Sequence, residues 1–354
     1  MIFLDTGAKM VHSGTGCKAM GKDKLRSISD IARIAGVSKS TVSRALNDSP
    51  LANVETRERI KAIAREHDFR PSAAARNLSL RLSHTVAFVN HAYSNSDCAI
   101  SDPFCLEIMG GITVGLHERG YDLLVVHVDP DDKDWVGQFL DSGRVDGFIL
   151  MTSTKKSSHM DLLLERGAPF VAWGPGRGGY CCVCGDDVMG GRLATERLLS
   201  LRRSRIAFLG GTPTEGEVRA RYQGYETALA AAGRAVDPKL VVYGDYSERS
   251  GARAMEELLK RDPTVDAVFS NSDLMAIAAM RVLHAAGRRI PEDVAVIGYD
   301  DLSISSYVTP ALTTISQHVP LAGKLLARDL VTYLEQGILT TTTVPVELII
   351  RGSA

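Results

Sequence analysis

Residues 37–47, "VSKSTVSRALN", hold a lysine and an arginine spaced among hydroxyl side chains. On a helix this spacing exposes Lys39, Ser40, Ser43 and Arg44 and lets Val42 and Leu46 face inward. Lysine and arginine on such a face can reach guanine acceptors in a major groove, and hydroxyls can take phosphates or base edges. A second chemistry lies further along. Arg221 sits in "RARYQGY", Asp300 ends the apolar run "VAVIGYD", and Asp273 stands before "LMAIAAMRVL". Asp and Arg each make paired, directed hydrogen bonds to neighbouring hydroxyls, which is how a cleft tells one polyol from another. Asp273 and Asp300 can alternatively serve only as helix caps, and Arg221 as a surface cation. Trp173, at the end of "PFVAW", can stack on a sugar ring or simply fill a core.

Other motifs point away from catalysis and metals. "GPGRGGY" holds a literal GxGxxG at Gly174, Gly176 and Gly179, but the residues after it, "YCCVCG", read as a strand. A dinucleotide fingerprint needs a helix there, with its N-terminus on the pyrophosphate. "CCVC" (Cys181, Cys182, Cys184) lacks paired CxxC spacing, and adjacent cysteines on a strand point to opposite faces. With no export signal read at the start, the six cysteines are expected as reduced thiols. Asp300 and Asp301 are adjacent carboxylates with no Ser/His/Asp or metal spacing around them, and the nine histidines form no HxxxH pair. No cofactor and no metal are expected.

These residues need elements to hold them. The chain has 354 residues, too many for one ordinary core, and no run reaches the ~18 apolar residues of a membrane span. Net charge is −1, yet residues 21–84 hold 13 Lys and Arg against 7 Asp and Glu, and the chain beyond is acidic. A small basic head on an acidic body implies that the head alone meets a polyanion. The head reads as short helices: Ile28, Ile31, Ala32 and Ala35 at helical spacing, ended by Gly36; a second capped by Ser38; a third capped by Asn53. Pro71 forces a break before "SAAARNL", a segment too short to be a stable helix alone. From Thr85 apolar runs alternate with amphipathic stretches, which predicts parallel sheets covered on both faces, in two α/β subdomains.

"ISDIARIAGVSKSTVSRALN" and "VETRERIKAIAREHDFRPSAAARNL" closely resemble the head of the LacI/GalR family of bacterial transcription regulators, hinge segment included. "RYQGYETAL", "SNSDLMAIAAMRVL", "IPEDVAVIGYDD" and "PALTTISQ" resemble that family's effector-binding core, which is similar to periplasmic sugar-binding proteins. The resemblance implies a small all-α helix-turn-helix head and an α/β core of two doubly wound subdomains. Residues 1–26, with Gly, Ser and Lys after a short apolar cluster, read as a mostly disordered extension, and the resemblance implies a DNA-binding head at 27–70, a hinge at 71–84 and a core at 85–354. The core's lobes would interleave, 85–185 with 316–343 and 186–315 with 344–354. "PVELIIRGSA" ends the chain as in many members, without a heptad helix, which implies a homodimer.

Carried over by position, the resemblance puts Lys39, Ser40 and Arg44 at base-reading places. Ser27, Ser29, Ser43, Asn47 and Thr56 fall at backbone-contact or cap places, and Leu78 matches the leucine that wedges into the minor groove. Asp102, Phe104, Asp186, Arg221, Ser272, Asp273 and Asp300 match effector-contact positions, with Asp186 in an uncertain register inside "GDDVMGG". The segment before the cleft is longer than usual, while "DPF" and "PFVAWG" are similar to those of carbohydrate-sensing members and lean towards an α-glucoside or related sugar. The implied protein is a cytoplasmic, ligand-responsive repressor of carbohydrate uptake or catabolism. It binds a pseudo-palindromic double-stranded operator as a dimer, with a sugar in the inter-lobe cleft. A regulator sensing a nucleoside, purine or other metabolite is the alternative, followed by a solute-binding protein or an enzyme on the same core.

Overall fold

The computed structural model describes residues 27–69, 82–91, 102–129, 132–151, 157–176 and 179–354. The expected extension at 1–26, Leu78 and nearly all of the expected hinge lie outside the described residues. The chain divides into two compact units, Met1–Leu80 and Arg81–Ala354.

In the first unit, three short helices are each defined at their start by a side-chain cap. Helix α1 (Ile28–Ala35) begins at Ser27, which forms a reciprocal capping box with Asp30, and ends at Gly36 with φ 64°. Helix α2 (Lys39–Leu46) begins at Ser38, whose hydroxyl accepts from the Thr41 amide. Helix α3 (Val54–Glu66) begins at Asn53, which accepts from the Glu55 amide. None is long enough to persist alone in water, so packing must hold them. Ile31, Val42, Ala45 and Ile60 supply that packing as a fully buried centre, closed by Phe69 after α3.

In the second unit the strands are β1 (Thr85–His91), β2 (Asp122–Val128), β3 (Gly147–Met151), β4 (Phe170–Trp173), β5 (Cys181–Gly185) and β6 (Ile206–Gly210). They continue with β7 (Val241–Tyr243), β8 (Ala267–Ser270), β9 (Ala295–Asp300), β10 (Thr313–Ser316), β11 (Thr341–Val344) and β12 (Glu347–Ile349). One sheet runs β2-β1-β3-β4-β5-β11 and the other β7-β6-β8-β9-β10-β12. All neighbours are parallel except β10 and β12. The same order recurs in both lobes, and the chain crosses between them after β5, β10 and β11. The central strands β3, β4, β6, β8 and β9 are buried on both faces because helices cover both, which is the pattern of a doubly wound sheet.

The covering helices are α4 (Pro103–His117), α5 (Trp135–Phe139), α6 (Ser157–Glu165) and α11 (Val319–Gln336) on the first sheet. On the second they are α7 (Asp187–Ser200), α8 (Gly216–Ala231), α9 (Glu248–Arg261) and α10 (Asp273–Ala285). In each lobe two helices cross on glycine. A Cβ at Gly191 would stand 2.1 Å from the Arg221 carbonyl oxygen, and one at Gly224 would stand 2.1 Å from that of Val188. Gly111 and Gly323 do the same for α4 and α11, at 2.2 Å and 2.3 Å from backbone oxygens. Backbone cannot yield as a side-chain tip can, so these positions set how closely the helices approach. Among the described residues no helix is long and apolar enough to cross a membrane.

Gly191→Ala and Gly224→Ala should each destabilise the core by roughly 1–3 kcal/mol or more, since each forces α7 and α8 apart. Gly110, inside α4 with nothing within 4 Å of its Cβ position, is the control. Gly110→Ala should stabilise by about 0.5–1 kcal/mol. Urea denaturation of the three variants tests this; equal effects at Gly191 and Gly110 would contradict the close-packed crossing.

Candidate functional site

The head presents one polar face. Lys39, Ser40 and Arg44 are exposed on α2 while Val42 and Ala45 are fully buried beneath them. The Ser40 hydroxyl lies 2.8 Å from that of Ser38, which in turn meets Thr41, so the hydroxyls at the start of α2 are linked to one another. The side chains of Lys39 and Arg44 make no hydrogen bond or ion pair among the described residues, and both cations are left available to an external acceptor. Ser43 and Thr56 are half-buried, and Asn47 is exposed at the C-terminal cap of α2. Ser27 is the cap of α1, and Ser29 is half-buried in its first turn.

In the core, the candidate residues gather where the strands end, at the C-terminal edges of the two sheets. That edge is where open α/β sheets take ligands. Asp102 caps α4, its carboxylate accepting from the Phe104 amide at 2.9 Å. The Phe104 ring stands 6.0 Å from that of Trp173, tilted by 45°, and Trp173 is 8% exposed. These three come from the first lobe. From the second lobe, Asp300 ends β9 with φ 117° and accepts from the Gln317 side-chain amide at 2.6 Å. Its carboxyl is pushed well above the usual range by burial first, then by Asp273; Arg221 and Gln317 oppose this, and Asp102 adds to it.

Arg221 is buried on α8. Its Nε donates to Asp187 at 2.8 Å and its Nη1 to the Asn271 backbone oxygen at 2.6 Å, while its Nη2 points to Gln317 at 3.5 Å. The guanidinium carbon lies 3.7 Å from the Tyr299 ring centroid, and the Tyr299 hydroxyl donates to Asp187. Burial works to lower the pKa of Arg221, but the Asp187 carboxylate, with Tyr299, Tyr246 and Asp300, holds it well above the ordinary value. Burial raises Asp187 in turn, against the pull of Arg221. Beside a permanent cation at this distance, Asp187 is the ionised partner.

The expected sites divide on this geometry. Phe104 meets Trp173 beside Asp102 in the first lobe, and Arg221 and Asp300 share Gln317 as a neighbour. Asp186 does not reach Arg221: it caps α7 by accepting from the Met189 amide at 3.0 Å, and the next residue, Asp187, makes the ion pair. The register of "GDDVMGG" thus resolves one residue later, because Gly190 leaves room for the Tyr299 hydroxyl and Gly191 for the backbone of α8. Asp273 is neither a helix cap nor a free carboxylate. Its oxygens accept from the Leu302 amide and the Ser305 and Thr314 hydroxyls, tying β9, β10 and α10 together. Ser272 is the cap, accepting from the Met275 amide at 3.2 Å. Asn271, Glu217, Tyr246 and Gln317 were not singled out in the sequence. The proximity of Asn271 and Gln317 to expected sites was the only signal for them. Glu217 stands one helical turn before Arg221 and accepts from the Tyr246 hydroxyl. Burial, opposed by Arg221, pushes its pKa up to about 7.

The lobes also touch at their rims. The Glu107 carboxylate of α4 accepts from the Ser303 amide at 2.8 Å. Pro175 stands so close to Gly216 that a Cβ there would meet its Cγ at 2.7 Å. Cys181 and Cys182 face opposite sides of the first sheet, and burial holds the Cys181 and Cys184 thiols above their usual range, away from thiolate reactivity. A strand, β5, follows Gly179, and not the helix a dinucleotide would need.

Comparison with known proteins adds three findings. A family model described as bacterial regulatory proteins, lacI family, matches residues 27–72. A second, described as periplasmic binding proteins and sugar binding domain of LacI family, matches residues 93–351. Among curated proteins, the HTH-type transcriptional regulator CelR of Thermobifida fusca is 39% identical over 91% of this chain and 94% of its own length. The ribose operon repressor of Escherichia coli K12 is 32% identical over 93% of this chain and 100% of its own. Among solved structures, a complex of the transcriptional regulator CelR with cellobiose has a TM-score of 0.71 at 36% identity, covering 93% of this chain and 100% of that one. A lac repressor dimer bound to operator and the anti-inducer ONPF has a TM-score of 0.80 at 25% identity, covering 93% and 99%.

The buried acid beside Arg221 predicts a pH dependence. A carboxyl near 7 in the folded state and near 4.5 unfolded contributes stability that is fully present below pH 4.5 and is lost as pH rises through about 7. Glu217→Gln should therefore match wild type near pH 4.5 and exceed it by on the order of 3 kcal/mol above pH 7. Denaturation midpoints of both proteins across this range give the difference curve; a flat one would place Glu217 at its ordinary pKa.

Proposed function

The chain belongs to the LacI family of bacterial regulatory proteins, and from that premise we propose how this member works. It is a ligand-responsive, DNA-binding transcriptional regulator. Our reading makes it a cytoplasmic, non-catalytic repressor of carbohydrate uptake or catabolism, active as a homodimer on a pseudo-palindromic operator. Two-fold protein symmetry imposes two-fold DNA symmetry. The observation that carries the DNA side is α2, with Lys39, Ser40 and Arg44 outward over a buried Val42 and Ala45. Those three residues read bases. Ser27, Ser29, Ser43, Asn47 and Thr56 fix the head on phosphates or cap its helices, and Leu78 is the minor-groove wedge within a hinge at 71–84.

The effector is a glucose-containing disaccharide of the cellobiose class, bound between Asp102, Phe104 and Trp173 on one lobe and Arg221 and Asp300 on the other. An aromatic wall opposite directed polar groups suits a sugar ring with equatorial hydroxyls. The likeness to CelR, and to its complex with cellobiose, favours this β-linked sugar over the α-glucoside suggested by "DPF" and "PFVAWG". Sugar binding shifts the balance of lobe arrangements, and residues 71–84 carry that shift to the head, changing operator affinity.

Two measurements test this reading. A hundredfold excess of cellobiose over its Kd should stabilise the core by ~2.7 kcal/mol, against no shift with ribose or hypoxanthine. A shift with hypoxanthine alone would transfer the effector to the purine class. Arg44→Ala should weaken binding to a site selected from random DNA by about 1–3 kcal/mol and leave cellobiose affinity unchanged. Undiminished footprinting by Arg44→Ala would remove α2 from the recognition role.

A further inference from the structure

Asn271 stands apart from the charged groups around it. Arg221, Asp187, Tyr299, Glu217, Tyr246, Asp300 and Gln317 bond to one another or to backbone, so the charged floor of the cleft is satisfied by the protein itself. Asn271 is 0% exposed, and neither its side-chain oxygen nor its side-chain nitrogen has a hydrogen-bond partner. Other buried nitrogens left over among the described residues include those of Arg197, Arg203 and Arg205, but each of these arginines is bonded through its remaining nitrogens. No other side-chain amide among the described residues is in this state.

The backbone at Asn271 is fully engaged. Its N–H donates to the Leu209 oxygen at 2.9 Å, and its oxygen accepts from Arg221 at 2.6 Å. Both bonds fix the main chain at this position. It is the first residue past β8, at the edge where the strand order changes direction between β6 and β8. That is the crevice in which open α/β sheets take ligands. Strand alternation carries its side chain to the same side as Phe269, because Val268 packs into the opposite core. Phe269 shares its side with Tyr299, over which the Arg221 guanidinium lies.

We propose that Asn271 is the residue by which this protein selects the hydroxyl pattern of its effector. A carboxamide offers an acceptor and a donor a fixed distance apart. A sugar hydroxyl, or a vicinal pair of them, offers the reverse, so one ligand edge satisfies both atoms at once. A ligand lacking the matching hydroxyl leaves the amide buried and unpaired, and a site of this kind rejects such analogues far more strongly than an apolar pocket rejects a missing methylene. The inference rests on the sugar reading above and adds to it the group that discriminates.

The experiment is calorimetry with cellobiose and its set of monodeoxy analogues on wild type, Asn271→Ala and Asn271→Leu, with melting curves to show that the variants fold. Removing an unpaired amide should leave them at least as stable as wild type. For wild type, one deoxy analogue should bind about 10- to 100-fold more weakly than cellobiose. For both variants cellobiose should fall by a similar factor, and that analogue should bind no worse than cellobiose, because the partner of the missing hydroxyl is gone. Variants that bind cellobiose like wild type, or bind it weakly yet keep the full discrimination between analogues, would overturn the assignment while leaving the sugar reading intact. If wild type itself binds no member of the set, the sugar reading and the role of Asn271 both fall.

Discussion

A buried arginine governs the architecture of the second lobe. Arg221 carries a permanent charge into a place from which solvent is excluded, and a charge there is tolerable only with a counter-charge and further hydrogen bonds. Asp187 supplies the charge, the Asn271 carbonyl a second acceptor, and the Tyr299 ring a surface for the cation. Each of these comes from a different element: α7, the turn after β8, and β9. The arginine on α8 therefore fixes three segments against one another. It can do so only because Gly190, Gly191 and Gly224 let α7, α8 and Tyr299 come within backbone distance. The glycines are thus part of the electrostatics as much as of the packing.

The same constraint reaches the other lobe through Gln317. This side chain lies at the second crossing between lobes, donates to Asp300 and stands by Arg221. A change in the arginine's surroundings is felt at the point where the chain passes into α11 and so into the first sheet. The first lobe repeats the solution without the charge: α4 and α11 cross on Gly111 and Gly323, and their contact is apolar. Both lobes have apolar cores on either face of their sheets, and the second adds the buried Arg221–Asp187 pair at its helix crossing. The rim contacts of Glu107 with Ser303 and of Pro175 with Gly216 hold the two sides in register.

The head obeys different rules. Its helices are short, and each is started by a local hydroxyl or amide cap whose partner lies within three residues. Little of its form depends on distant residues beyond the small centre of Ile31, Val42, Ala45 and Ile60. Its cations are presented by helical period, on the face opposite that centre.

This difference in locality decides what was legible in the amino-acid sequence. Caps, turns and helix faces are set by neighbours in the chain, so Ser27, Gly36, Ser38 and Asn53 could be read as boundaries, and Lys39, Ser40 and Arg44 as an outward face. The alternation of apolar runs and amphipathic stretches determined two parallel sheets, since only strands covered on both faces are apolar throughout. Asp300 was legible as a residue at a strand's end, and Arg221 as a candidate within "RARYQGY" near a helix start. What the tertiary structure alone decided was which carboxylate belongs to which partner. Asp186 and Asp187 are indistinguishable by composition, and the choice between them depends on how closely two helices cross. Asp273 carries a side chain suited to a ligand, yet its three donors come from residues 29 to 41 positions away. Asn271 is unremarkable in sequence; only when every neighbour is seen to be bonded does its amide stand out. Hydrogen-bond satisfaction is a sum over contacts brought together by folding, and no window of local sequence contains its terms.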